Sequence, residues 1–184
     1  ASKRLEQFPN SKVLITAPTR PLNAQHKKTF EKLTTIEPKK IVLVTGKISP
    51  DLRSEIYEQS DIVVATPQTI ENDLRTNRLS LQNFCFLTFD EAHRAVGNYS
   101  YVFVASQYHR LAKYPRIVGM TASPGAAMDD IKDVCKNLFI EAIEVRTDDD
   151  PDVRPYVKEI DISWVPVLLP PLLKDVQKPL QDFV

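Results

Sequence analysis

The 184-residue sequence predicts an α/β fold in which a parallel sheet carries helices on both faces. Short apolar runs recur along the chain, and they are continuous where a half-exposed strand would alternate. Segments with the 3.6-residue spacing of amphipathic helices lie between these runs. Because strands that alternate with helices form parallel sheets, each apolar run is interpreted as a strand buried on both faces.

The apolar runs predicted as strands are residues 13–15, 41–44, 62–65, 84–89 and 117–120. Two helical stripes are clearest, and they consist of Tyr101, Val104, Ala105, Tyr108 and Leu111, and of Met128, Ile131, Val134, Cys135, Leu138 and Phe139. Ser49 and Thr66 each precede a proline. Both residues are therefore predicted to cap helices whose first turn contains that proline.

The pattern weakens after Phe139. Residues 147–155 form an acidic, proline-bounded connector, residues 156–167 alternate as one more strand would, and residues 168–184 carry three prolines and no closing motif. We therefore expect a main domain over 1–147. Residues 148–184 are expected to be a connector, a strand and a proline-rich tail that leads into further chain.

Composition sets broad limits on function. The chain has 42% hydrophobic and 26% charged residues with zero formal net charge, so no bulk attraction to nucleic acid or membrane is expected. Its basic residues are concentrated in 1–40 and its acidic residues in 141–161. The two cysteines lie in apolar patterns, and no apolar run reaches the roughly 18 residues of a membrane span. A cytoplasmic chain is expected, or a nuclear one if the source is eukaryotic.

The residues that follow each strand are the candidates for a ligand site, because ligands of parallel sheets bind beyond the carboxyl ends of the strands. These segments are TAPTR (16–20), TGK (45–47), TPQT (66–69), DEAH (90–93) and TASP (121–124). Four of the five begin with threonine, and none is a plain turn of glycine and asparagine. Chemistry is therefore expected at this edge of the sheet.

Asp90 and Glu91 end the strand predicted over 84–89. Mg²⁺ prefers one or two carboxylates together with waters and substrate phosphates, so one carboxylate of this pair is a candidate to hold its water shell. The neighbouring carboxylate could then polarise a water for attack on phosphorus. An acidic pair that merely suits a helix N-terminus is the plainer alternative. The apolar strand before the pair and the Ala-His after it favour the catalytic interpretation.

His93 is one of only three histidines, and none has the spacing of a zinc site. A hydrogen-bonding link from the carboxylates to the hydroxyls of Thr121 and Ser123 is the preferred hypothesis. Arg20 and Thr66 could each place a helix N-terminus against a phosphate. Gln68 and Gly46 are weaker candidates for the same ligand, and a simple polar turn or cap remains the alternative for all of these residues.

One motif is absent from the sequence. A nucleotide-hydrolysing protein of this fold uses a GxxxxGK[ST] loop after its first strand. The only Gly-Lys pair is Gly46-Lys47, which is followed by Ile-Ser, and Ile41 stands where the leading glycine would fall. The 184 residues therefore contain no phosphate loop.

The ordered segments APTRPL (17–22), TGKISP (45–50), ATPQTIENDL (65–74), FDEAH (89–93) and TASP (121–124) resemble those of the superfamily 2 DEAH-box helicases. In order they match motif Ia, a glycine-containing loop and motifs Ib, II and III. The Ib segment and residues 144–157 are most similar to the archaeal Hef and eukaryotic FANCM group. The resemblance covers nearly the whole chain and implies a RecA-like motor domain that is N-terminally truncated.

The resemblance also implies roles for single residues. Asp90 would coordinate the Mg²⁺ of Mg-ATP through water, Glu91 would activate the hydrolytic water, and His93 would couple motif II to Thr121 and Ser123. DNA, single-stranded or branched, would be bound by a second group of residues without base readout, and this group is Arg20, Gly46, Thr66 and Gln68. The resemblance further implies a nuclease domain downstream in the parent protein.

Two functions from different classes remain open at this stage. The first is an ATP-dependent helicase or translocase for branched or fork DNA in repair and replication restart, whose isolated 184-residue part is inactive. The alternative is a non-catalytic nucleic-acid-binding or scaffold module with a motor-like fold. A third hypothesis, a carboxylate metallohydrolase, needs more ligands at the strand ends than Asp90, Glu91 and His93 provide.

Overall fold

The computed structural model describes residues 1–123, 128–157, 163–167, 170 and 173. The helices and strands alternate along the chain as predicted. The helices are α1 (Ser2–Gln7), α2 (Arg20–Leu33), α3 (Pro50–Gln59), α4 (Pro67–Arg75), α5 (Ser100–Leu111) and α6 (Met128–Asn137). The strands are β1 (Lys12–Thr16), β2 (Ile41–Val44), β3 (Ile62–Ala65), β4 (Phe84–Asp90) and β5 (Ile117–Met120).

The strands form one sheet in the order β2-β3-β1-β4-β5, and every neighbouring pair is parallel. β1 lies at the centre, where Val13, Leu14 and Thr16 are fully buried. From β1 the chain crosses to the outer strand β2, returns to β3 between β2 and β1, and then passes to β4 and β5 on the other side of β1. The carboxyl ends of β1 and β4 therefore flank the point where the order of the strands reverses, which is where such sheets bind ligands.

Helices cover both faces of the sheet, as the sequence predicts. On one face, alternate strand residues such as Val13 and Ile15 pack beside Leu5 of α1 and Phe30 of α2. On the other face Leu14 belongs to a larger apolar cluster that includes residues of α3, α4, α5 and the end of α6. Burial of continuous apolar strands on both faces is the main source of stability here, at roughly 25 cal/mol for each Å² removed from water.

β5 corrects one expectation. Among the described residues it pairs only with β4, so it is the outermost strand on that side of the sheet. Gly119 is exposed and Met120 retains 42% of its accessible surface, so this run is not buried on both faces. The apolar sequence resembles that of the central strands because composition does not encode a strand's place in the sheet.

The predicted caps need a second correction. Ser49 and Thr66 occupy the N-cap positions of α3 and α4, each before a proline at the first helical turn, but neither side chain caps its helix. The hydroxyl of Thr66 instead lies 2.9 Å from the hydroxyl of Thr69. Only Thr19, ahead of α2, has a side chain that accepts from a main-chain N–H of its helix, at 3.5 Å from Leu22, among the helices for which a cap is described.

The chain divides into two compact units, Ala1–Ile143 and Glu144–Val184. In the second unit the described residues include a 3₁₀ turn at Arg154–Tyr156 and an exposed Trp164. Of the strand predicted over 156–167, residues 158–162 lie outside the described residues, and 163–167 have no regular secondary structure. No helix of the described part of the chain has the length and apolarity needed to cross a membrane.

A buried ion pair joins α3 to α4. The Arg53 guanidinium donates from Nε and Nη2 to the two oxygens of Asp73 at 2.8 and 2.7 Å, and the Tyr57 hydroxyl donates to Asp73 Oδ2 at 2.6 Å. The Asp73 side chain is fully buried. Burial and the Asp73 carboxylate both raise the pKa of Tyr57, so its hydroxyl keeps its proton. Arg53 also donates to the carbonyl of Ile48 at 2.6 Å, which fixes the loop after β2 to the same group.

We predict that Asp73→Ala lowers the free energy of unfolding by about 3–5 kcal/mol, because it leaves the guanidinium of Arg53 buried without its partner. Urea denaturation followed by circular dichroism measures this loss. Glu71→Ala is the matched control on the same helix, since Glu71 forms an i,i+4 pair with the exposed Arg75 and should cost about 0.5 kcal/mol or less. Equal losses for the two variants would contradict a structural role for the buried pair.

Candidate functional site

The five candidate segments lie at the carboxyl-terminal edge of the sheet, where the parallel strands end, because each follows the carboxyl end of one strand. The strand order separates them into two groups. The segments with Gly46, Thr66 and Arg20 follow β2, β3 and β1, which are adjacent. The segments with Asp90 and Thr121 follow β4 and β5, which are also adjacent. The proposed nucleic-acid residues and the carboxylates therefore occupy two halves of one edge.

Asp90 is the last residue of β4, and its main chain is held by a buried hydroxyl. The Tyr101 hydroxyl donates to the carbonyl oxygen of Asp90 at 2.6 Å and lies 3.3 Å from the carbonyl oxygen of Thr16 at the end of β1. Burial raises the pKa of Tyr101, which keeps the phenol protonated as the donor. The ends of the two strands are thus fixed to one side chain of α5.

Glu91 turns the chain sharply out of the strand. Its backbone is left-handed, with φ of 52° and ψ of 49°, which is uncommon for a residue other than glycine. The side chain of Asp90 stabilises this turn, because its Oδ1 accepts the Glu91 N–H at 3.0 Å. The Glu91 side chain keeps 37% of its surface exposed, so its carboxylate can meet a water molecule at the edge of the sheet.

Gly119 allows the turn after Glu91 to pack against the sheet. A Cβ at this position of β5 would lie 3.0 Å from the Cβ of Ala92. That separation is shorter than ordinary van der Waals contact, so a larger residue at 119 would displace Ala92, which is buried. The glycine therefore sets how closely the DEAH segment approaches β5.

His93 links this segment to the next strand end. Its Nδ1 lies 2.8 Å from the Thr121 hydroxyl oxygen and 3.4 Å from a Glu91 carboxylate oxygen. Ser123 joins the group through its main-chain N–H, which donates to the Thr121 hydroxyl at 3.1 Å. The structure therefore brings His93, Thr121 and Ser123 together, although Ser123 contributes its backbone and not the hydroxyl that the sequence suggested. Pro124 of the same motif lies outside the described residues.

His26 is a member of the site that the sequence analysis missed. Its Nε2 lies 2.7 Å from Asp90 Oδ2, and both side chains are about four-fifths buried. An ionised carboxylate only accepts hydrogen bonds, so Nε2 carries the proton and donates. The signal in the sequence was a pair of polar residues, Asn23 and His26, at helical spacing with Phe30 on the side of α2 that faces the sheet.

The nucleic-acid candidates lie at accessible positions. Arg20 is exposed in the first turn of α2, Gln68 is exposed in the first turn of α4, and Thr66 is half-buried at its N-cap. A Cβ on Gly46 would meet no atom within 4 Å, so the loop after β2 leaves open space around its main chain. These positions can meet a polyanion by guanidinium, amide and backbone contacts that do not read bases.

The two adjacent carboxylates fit the chemistry of Mg²⁺ bound with a nucleotide, since this ion keeps several waters and takes one or two carboxylates when phosphates supply other ligands. Asp90 has both oxygens engaged once, by His26 and by Glu91 N–H, and each oxygen can accept a further bond from a water of the ion's shell. Among the described residues, no three His, Cys, Asp or Glu side chains form a cage that could hold a metal by themselves.

A family model described as DEAD/DEAH box helicase matches residues 1–131. A Methanocaldococcus jannaschii protein, provisionally named an ATP-dependent RNA helicase, is 40% identical over 94% of this chain and 22% of its own length. The ATP-dependent DNA helicase MPH1 of Kluyveromyces lactis is 37% identical over 91% of the chain and 17% of its own length. The chain thus spans about a fifth of these relatives.

Solved structures agree with the fold. The helicase domain of Hef from Pyrococcus furiosus is 50% identical and superposes with a TM-score of 0.83. The alignment covers 98% of this chain and 38% of the Hef chain. The yeast splicing factor Prp28, at 23% identity and a TM-score of 0.57 over 72% of this chain and 31% of that one, shares the fold alone. The predicted RecA-like sheet and the resemblance to the Hef and FANCM helicases are confirmed.

Proposed function

The chain belongs to the DEAD/DEAH box helicase family, and from this we propose that it forms part of the motor of an ATP-dependent DNA helicase or translocase. Its substrate would be single-stranded, branched or fork DNA in repair and replication restart. One observation carries the proposal: the DEAH carboxylates and the candidate DNA residues share one edge of the sheet, in two adjacent halves. We place the motor domain at residues 1–147.

In this proposal Asp90 would hold the water shell of Mg²⁺, and the ion would neutralise charge on the phosphates of ATP. Glu91 accepts a proton from water as the water oxygen bonds to the γ-phosphorus and the bond to the β-phosphate oxygen breaks. His93 couples this hydrolysis step at the DEAH segment to Thr121 and Ser123. Its contact with Thr121 at 2.8 Å and its approach to Glu91 at 3.4 Å support this role.

The DNA backbone would contact Arg20, Gly46, Thr66 and Gln68, which follow three neighbouring strands and can track one strand of DNA. DNA, and not RNA, is favoured by the name of the MPH1 relative, whereas the Methanocaldococcus jannaschii name gives RNA. By the same resemblance we propose a nuclease domain elsewhere in the protein. The expected location is the cytoplasm for an archaeal protein and the nucleus for a eukaryotic one.

The second candidate function is a nucleic-acid-binding scaffold with the motor fold, in which the full-length protein would lack a GxxxxGK[ST] phosphate loop. The two proposals differ in whether the full-length protein hydrolyses ATP, and the variants below separate them.

Glu91→Gln in the full-length protein should lower DNA-stimulated ATP hydrolysis by about 10²–10⁴-fold, because the amide cannot accept the proton of water. Mg-ATP binding should persist. Phosphate release and fluorescent-nucleotide binding measure the two effects. Glu55→Gln, at an exposed position of α3, makes the same chemical change away from the site. Normal turnover by Glu91→Gln would remove this residue as the base, and no hydrolysis by the parent would favour the scaffold.

Arg20→Ala should weaken single-strand DNA binding about equally for all sequences and reduce the slope of log affinity against log salt by about 1. Fluorescence anisotropy over a salt series measures both quantities. Arg110→Ala is the matched control, since Arg110 lies in the last turn of α5, before β5 begins and thus toward the opposite edge of the sheet. An unchanged affinity and slope for Arg20→Ala would show that this edge faces another ligand.

The 184-residue chain alone should bind Mg-ATP weakly and show no DNA-stimulated hydrolysis. The β- and γ-phosphates carry most of the charge of ATP, and these residues contain no phosphate loop to neutralise it. Calorimetry with Mg-ATP and a phosphate-release assay with added single-stranded DNA measure the two properties. Turnover by the isolated chain would mean that other residues of this chain form a phosphate site.

A further inference from the structure

We propose that His26 is a positioning residue that couples DNA binding at the start of α2 to the orientation of the Asp90 carboxylate. The inference rests on the proposed function, because it joins the candidate DNA side of the sheet edge to the candidate ATP side. It assigns to α2 a second role beyond presenting Arg20.

The first turn of α2 is fixed to the end of β1. The buried side chain of Asn23 donates to the carbonyl oxygens of Ala17 and Thr19 at 2.7 and 2.8 Å, and its oxygen accepts the Ala17 N–H at 3.2 Å. When DNA contacts Arg20, these bonds prevent the segment between β1 and α2 from moving by itself. A displacement of Arg20 therefore moves the helix α2 as well.

His26 lies six residues after Arg20, which corresponds to about 9 Å along the helix axis. Its Nε2–H donates to Asp90 Oδ2 at 2.7 Å. N–H···O hydrogen bonds have donor–acceptor distances of about 2.7–3.2 Å, and a contact at about 3.6 Å is no longer one, so a displacement of about 1 Å at this part of α2 breaks the bond. The donor thus responds to small movements of the helix.

Asp90 is held by contacts from different elements. Its Oδ1 accepts from Glu91 N–H, and its carbonyl oxygen accepts from Tyr101, so these two contacts depend on β4, the DEAH turn and α5. Only Oδ2 is bonded to α2. A shift of α2 therefore turns the carboxylate about a fixed main chain and changes where its oxygens point.

The strand order supports this coupling. His26 follows β1 and Asp90 ends β4, and these two strands are neighbours at the point where the order of the sheet reverses. The contact therefore bridges the two halves of the edge at their boundary. The two residues are 64 positions apart in sequence, so the contact is a tertiary one and not a local turn.

The test compares His26→Leu, which removes the donor, with His26→Gln, which keeps an N–H donor on a side chain of similar reach. His109→Gln is the control for the residue type, since His109 is exposed on α5 and stacks on Phe139. In the full-length protein, hydrolysis is measured with and without saturating single-stranded DNA. DNA affinity is measured with and without Mg²⁺ and a non-hydrolysable ATP analogue.

We expect His26→Leu to lower the ratio of DNA-stimulated to basal hydrolysis at least fivefold, the lower end of usual coupling factors. The effect of the nucleotide analogue on DNA affinity should also fall, because in this proposal it depends on the same contact between His26 and Asp90. DNA affinity without nucleotide should stay within about twofold. His26→Gln should restore most of both effects, and His109→Gln should change neither.

A His26→Leu protein that keeps its stimulation ratio and its nucleotide effect would overturn the inference. So would a His26→Gln protein that loses as much as His26→Leu, because the ring would then act by packing alone. These outcomes are distinct from failure of the proposed function. That failure appears in the unaltered protein, as an absence of DNA-stimulated hydrolysis, and would remove both proposals together.

Discussion

The parallel hydrogen-bonded pairing of β1 with β3 and β4 is the constraint on which the rest of the structure depends. β1 is buried on both faces and lies between the two halves of the sheet. Its pairing fixes the register of the neighbouring strands and so the height at which each strand ends. Thr16 adds a side-chain bond from its hydroxyl to the carbonyl of Thr88 at 3.0 Å. The candidate residues share one edge because of this ladder.

The strands, their order along the chain and the position of the DEAH segment follow from sequence because these signals are local. An apolar run followed by Asp90 and Glu91 is visible within ten residues. The exposure of β5 is not visible in this way, since it depends on the place of that strand in the sheet. The wrong prediction of side-chain caps has a similar origin: whether the Thr66 hydroxyl bonds the backbone or Thr69 depends on rotamers that the sequence leaves open.

The contacts that hold the site are mostly tertiary, and this is why the sequence did not reveal them. His26 and Tyr101 reach Asp90 from helices that are far apart in the chain. Tyr101 was predicted only as part of an apolar stripe, because a helical pattern reports burial but not the partner of a hydroxyl. The roles of the individual site residues stay predictions, whereas the fold and the family are confirmed.

The left-handed backbone of Glu91 has a consequence for how this protein could be stabilised. Contact between a Cβ and the neighbouring carbonyl oxygen in that conformation costs roughly 1–2 kcal/mol; glycine avoids this cost, and asparagine offsets part of it by hydrogen bonds to the local backbone. Substitution at this position for thermal resistance would therefore favour a residue that carries no carboxylate. If Glu91 is the base, the conformation is a point where stability and activity are traded against each other. Selection for folding stability alone would therefore favour variants that are more stable but no longer hydrolyse ATP.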